Sequence, residues 1–131
     1  MTARILVVDD EPSVLAVVSR ALREEGHEVI AVSNGQTAYD VALDQRVDVV
    51  VTNNRMPGLN GAELMSALRR RFPGIPVLDL DDHSLATHSQ FRLPADVPTL
   101  FKPFDLVALG AAVRRLLKPP RPSRPELATA P

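Results

Sequence analysis

Val47-Asp48-Val49-Val50-Val51-Thr52-Asn53-Asn54-Arg55-Met56-Pro57-Gly58 is the stretch whose reading decides the fold. Its apolar run is the pattern of a strand buried on both faces of a parallel sheet. It ends in two amides and then Met-Pro-Gly, a turn in which proline fixes φ and glycine frees it. Open α/β sheets place their ligands in the crevice beyond the carboxyl ends of such strands, and Asn53 stands at that end.

Outward from this stretch, apolar runs alternate with segments of helical periodicity. Arg4-Ile5-Leu6-Val7-Val8 reads as a central strand followed by Asp9-Asp10-Glu11. Pro12 suits a first helical turn, and Val14, Leu15, Val18, Ala21 and Leu22 recur at helical spacing before Gly26. Val29–Val32 is a second strand, and Asn34 caps a helix whose inward residues are Ala38, Val41 and Ala42. After Asn60-Gly61, the residues Leu64, Met65, Leu68 and Phe72 form another helical stripe. Ile75–Leu80 and Thr99–Phe101 complete the strands, and Leu106, Leu109, Val113, Leu116 and Leu117 line a last helix. Arg114, Arg115 and Lys118 near its end suit the helix dipole.

This alternation predicts right-handed crossovers and a doubly wound parallel sheet. Asp82 to Pro98, with Pro94 and Pro98 and no clean stripe, predicts at most a short or irregular fourth helix. Residues 1–118 form the expected domain, and the proline-rich residues 119–131 an extended, disordered tail. A linker is the simpler reading of that tail, and a proline-motif ligand the alternative.

A chain of 131 residues has room for one core, and a net charge of −1 gives no general attraction to nucleic acid or membrane. No run suits a bilayer span, the start lacks a signal-peptide pattern, and a cytoplasmic location is the default expectation. Without cysteine there is no disulfide framework, thiol nucleophile or thiolate metal site. His27, His83 and His88 lack metal-ligand spacing and read as surface residues, and Arg69-Arg70-Arg71 as a solvated helix end. No glycine-rich phosphate loop follows the first strand, which argues against nucleotide binding.

In a parallel sheet the carboxyl ends share one edge, so Asp9, Asp10, Asn53, Asp81 and Lys102 should converge. Three segments carry a family resemblance: Val7-Val8-Asp9-Asp10-Glu11, Arg55-Met56-Pro57-Gly58-Leu59-Asn60-Gly61 and Lys102-Pro103-Phe104. Over about residues 3–118 the chain resembles the CheY-like receiver domain of two-component response regulators. The resemblance implies an α/β, flavodoxin-like sheet of five parallel strands flanked by helices.

It also implies a site. In that family an aspartate ending the third strand takes a phosphoryl group from a histidine kinase. Residues matching Asp9 and Asp10, with the backbone carbonyl matching Arg55, help hold Mg²⁺. A lysine matching Lys102 contacts the phosphoryl oxygens. A Thr or Ser at the position of Asp81 relays the change, and an aromatic residue at that of Thr99 reads it out.

The chain departs from this pattern at Asn53, Asp81 and Thr99. Counted back from Met56, Asn53 holds the phosphoacceptor position, and an amide has no anionic oxygen to attack phosphorus. Thr52 should face the opposite side of the strand. The leading expectation is a degenerate receiver, not an enzyme, working through protein contacts without phosphorylation. Its expected partners are a histidine kinase, a phosphotransfer protein or another receiver, with a homodimer as a further option. The rival expectation is an active phosphoacceptor using a carboxylate in the same pocket, such as Asp81 or a deamidated Asn53. A flavodoxin-like cofactor carrier is the third.

Lys102 is expected to be held by Asp81 together with the Asp9/Asp10 pair, and carboxylate repulsion to raise at least one pKa unless Lys102 or a cation intervenes. No cofactor is required. Mg²⁺ binding through Asp10, the Asn53 oxygen and the Arg55 carbonyl is expected to be weakened by the loss of one anionic ligand. Asp79, in phase with Asp81 on a buried strand, needs a partner, a proton or an exposed edge, unless the strand frays there.

Overall fold

A computed structural model describes residues 2–82 and 93–117, with the backbone alone described at Asp82. Strands β1 (Arg4–Val8), β2 (Glu28–Val32), β3 (Val49–Asn53), β4 (Val77–Asp82) and β5 (Thr99–Lys102) make one sheet, ordered β2-β1-β3-β4-β5. Every neighbouring pair is parallel. The helices are α1 (Pro12–Glu24), α2 (Gly35–Asp44), α3 (Gly61–Arg71) and α4 (Leu106–Leu117).

Period-two alternation divides the core between the faces. Ile5, Val7, Val49, Val51, Leu78 and Leu80 pack with Val18 and Leu22 of α1 and Leu109 and Val113 of α4. Leu6, Val8, Val50 and Val77 pack with Ala38 and Ala42 of α2 and Leu64, Met65 and Leu68 of α3. β1 and β3 are covered on both sides, which is why each reads as an unbroken apolar run.

Local chemistry fixes the helix ends. Gly26 ends α1 with φ 95°, and the Gly26 and His27 N–H groups donate back to the Arg23 and Leu22 carbonyls. Asn34 Oδ1 accepts the Thr37 N–H at 2.8 Å. Asn60 and Glu63 form a reciprocal capping box at the start of α3.

Several expectations need correction. β4 runs Val77–Asp82, two residues later than the apolar run suggested, so it does not fray at Asp79. Phe72 and Leu106 are 37% and 43% exposed, so both lie off the core stripes assigned to them. His27 is buried and accepts the Ala3 N–H at Nδ1, 3.3 Å away, which ties the chain start to β2. Residues 93–98 precede β5 without forming a helix. The rest of the expected fourth helix, His83, His88, Lys118 and the proline-rich tail lie outside the described residues.

Candidate functional site

The strand order reverses between β1 and β3, and the crevice opens at their carboxyl ends. Asp9 and Asp10 follow β1, and Asn53 closes β3. Asn53 is 5% exposed. Its Nδ2 donates to Asp10 Oδ1 at 3.1 Å, to the Arg55 carbonyl at 3.1 Å and, more loosely, to Asp9 Oδ1 at 3.4 Å. Its Oδ1 accepts the Arg55 N–H at 3.2 Å. The neighbouring Asn54 faces elsewhere, with Oδ1 accepting the Ala62 N–H at the start of α3. Gly61 is required there, because a Cβ would stand 2.7 Å from the Asn54 Cα. Thr52 donates its hydroxyl to the Asn53 carbonyl.

Lys102, at the end of β5, reaches the crevice and the expected Asp9, but its second partner is Glu11 and not Asp81. Nζ lies 3.3 Å from Asp9 Oδ2 and 3.0 Å from Glu11 Oε1. Asp81 pairs instead with the Arg55 guanidinium, Nε to Oδ1 at 3.0 Å. The reason is parity. Asp81 registers with Phe101, so Lys102, one residue further, projects to the other face of the sheet. Glu11 and the Arg55 side chain are site residues that the sequence reading did not single out. Both sit on loops, where no periodicity marks a partner.

Burial raises the Asp9 pKa, although the Glu11 N–H and the Lys102 charge counter it and the Glu11 charge adds to it. Burial alone would lower the pKa of Lys102. The hydrogen bonds and charges of Glu11 and Asp9 together outweigh it, so that pKa is raised.

Asp79 lies beyond the crevice on the α2/α3 side of β4, between Thr52 and Thr99 in register. It is 2% exposed, Oδ2 accepts the Thr99 hydroxyl at 3.1 Å, and Oδ1 has no hydrogen-bond partner among the described residues. Burial pushes its pKa up to about 7, with Asp81 adding to the rise and Thr99, Arg55 and Lys102 opposing it. Of the ways sequence left open for Asp79, the site supplies a hydroxyl partner and favours a proton. Thr99, at the readout position, is that partner.

The residues assigned to a cation do converge, but not as a ligand set. The group that Asn53 turns toward Asp9, Asp10 and the Arg55 carbonyl is a donor nitrogen. A cation needs an oxygen there, so the residues as arranged do not fit one. Among the described residues, no group of three or more His, Cys, Asp or Glu is placed to hold a metal ion.

A five-stranded parallel sheet with this order and an acidic crevice at the β1/β3 switch defines a receiver-type module. The chain matches the response regulator receiver domain family over residues 5–114 and belongs to it. It is 40% identical over 114 residues to the transcriptional regulatory protein TcrA of Mycobacterium tuberculosis, covering 86% of this chain and 45% of TcrA. The chain thus spans about half the length of the curated relatives it matches.

A response regulator receiver protein from Sinorhizobium medicae superposes with a TM-score of 0.80 at 30% identity, covering 88% of this chain and 94% of that one. The receiver domain of the Pseudomonas aeruginosa sensor histidine kinase PA1611, solved with magnesium in its active-site cleft, gives 0.79 at 26% identity, covering 89% and 98%. The chain is therefore a two-component response regulator receiver domain. No helix among the described residues is long and apolar enough to cross a membrane.

Proposed function

We propose that this receiver works as a signalling module through protein contacts, without passing through an aspartyl phosphate. The observation that carries the reading is Asn53. An amide ends β3 inside the acidic crevice, where phosphoryl capture calls for a carboxylate, and its nitrogen is already bonded to Asp10 and the Arg55 carbonyl.

The remaining charges support this reading. Lys102 is engaged by Asp9 and Glu11, and Asp81, the alternative acceptor, is 8% exposed and paired with Arg55. An attacking carboxylate at Asp81 would first have to leave that guanidinium. Partners of the expected kinds are a histidine kinase, a phosphotransfer protein or another receiver. A groove of about 580 Å³ between α1 and the start of α4, lined by Val14, Val17, Phe104 and Leu106, offers apolar surface beside the crevice.

The test is incubation with acetyl phosphate and Mg²⁺ followed by intact mass measurement. The wild-type chain is expected to gain no acid-labile phosphoryl group. Asn53→Asp is expected to gain one, because Asp81 is held by Arg55 and leaves the crevice open. A stoichiometric adduct on the wild-type chain would overturn the reading.

A further inference from the structure

We propose that the Asn53 amide is a built-in substitute for a divalent cation, so that the crevice holds one arrangement and does not respond to millimolar Mg²⁺. The inference rests on the reading of Asn53 given above and extends it from the phosphoryl group to the metal.

Nδ2 sits where oxygens from separate segments meet: Asp9 and Asp10 after β1, and the Arg55 carbonyl after β3. It ties these segments together, which is the structural task of a bridging cation. An amide has two hydrogens for three acceptors, which accounts for one bond being the longest, to Asp9 at 3.4 Å. Asp9 takes its compensating charge from Lys102 instead.

The orientation of the amide is fixed by polarity at both ends. Three oxygens require a donor on one side, and the Arg55 N–H requires an acceptor on the other. Presenting Oδ1 to a cation would take half a turn of the amide. That turn would aim the amide NH₂ at the Arg55 N–H, donor against donor. Asn53 is 5% exposed, so little water can reach its amide to relieve the conflict. A carboxylate has an oxygen on each side and meets no such conflict. The replacement of one oxygen by nitrogen thus removes a charge and also sets the remaining oxygen the wrong way round.

The experiment is a Mg²⁺ titration at constant ionic strength, followed by NMR at the Asn53 side-chain NH₂ and the Arg55 backbone amide, with melting temperature in parallel. Wild-type signals and melting temperature are expected to stay put up to about 10 mM Mg²⁺, a concentration that would stabilise a millimolar site. Asn53→Asp should melt below wild type in chelator. For a site of about 1 mM affinity it should then rise by roughly 4 °C at about 10 mM Mg²⁺.

A saturable shift of the wild-type Asn53 NH₂ signals at low millimolar Mg²⁺ would overturn the proposal. So would an Asn53→Asp variant equally blind to Mg²⁺, since the amide would then not be the cause. If that variant fails to fold, the wild-type titration decides alone. Mg²⁺ binding to a wild-type chain that still takes no phosphoryl group would sink this inference and leave the function proposed above standing.

Discussion

Asp9 is fully buried, and Lys102 is its cationic partner. Breaking a buried pair by removing one member leaves the other charge uncompensated, and that is where such pairs cost most. Lys102→Met is therefore expected to destabilise the domain by about 2–3 kcal/mol at pH 8. The loss should shrink as pH falls, because Asp9, already raised by burial, then takes a proton in place of its partner. Glu11 is largely exposed, and Glu11→Gln should cost under about 1 kcal/mol. Urea denaturation at two pH values checks both. Asn53 was legible in the sequence because the Met56-Pro57 turn fixes its place by counting. That Lys102 would turn from Asp81 to Glu11 was not legible, since it depends on the register that puts Asp81 and Lys102 on opposite faces of the sheet.

Loops, more than strands, set the geometry of the elements around the crevice. β1 and β3 were legible because strands covered on both faces need continuous apolar residues, and their ends carry the site. The limits of β4 were not, because Asp79, Asp81 and Asp82 break the apolar signal while the strand continues through its pairing with β5. Arg69 shows a related failure. Read as part of a solvated basic run, it donates to the Ile75 carbonyl at 2.9 and 3.2 Å and forks onto both Asp96 oxygens. It thereby fastens the segment before β5 to the end of α3. Arg69→Ala is expected to cost about 1–2 kcal/mol, since the Ile75 carbonyl loses its donor. Asp96→Ala should cost less than about 0.5 kcal/mol, because that carboxylate is exposed and screened. A double-mutant cycle in urea separates the two contributions.

Across the whole molecule, the pH dependence of folding should carry the signature of Asp79. Its pKa lies near 7 in the folded chain against an ordinary 3.8, so between those values the folded state holds a proton that the unfolded state has released. This contribution to stability is fully present below about pH 4, falls as pH rises through the window, and is lost above pH 7. The shift corresponds to a loss on the order of 4 kcal/mol, and the raised pKa of Asp9 acts in the same direction. Most domains gain stability as their paired carboxylates ionise, so a decline from pH 5.5 to 8 distinguishes this one. Asp79→Asn keeps an acceptor for Thr99 and removes the charge, but among the described residues the amide nitrogen gains no partner in a buried site. The net expectation is a flatter profile, with the variant about 1–2 kcal/mol more stable than wild type at pH 8 and no more stable at pH 5.5. Urea unfolding at pH 5.5, 7 and 8 reads this directly. Parallel profiles for the two chains would mean that Asp79 stays ionised in the fold, with a partner compensating its charge.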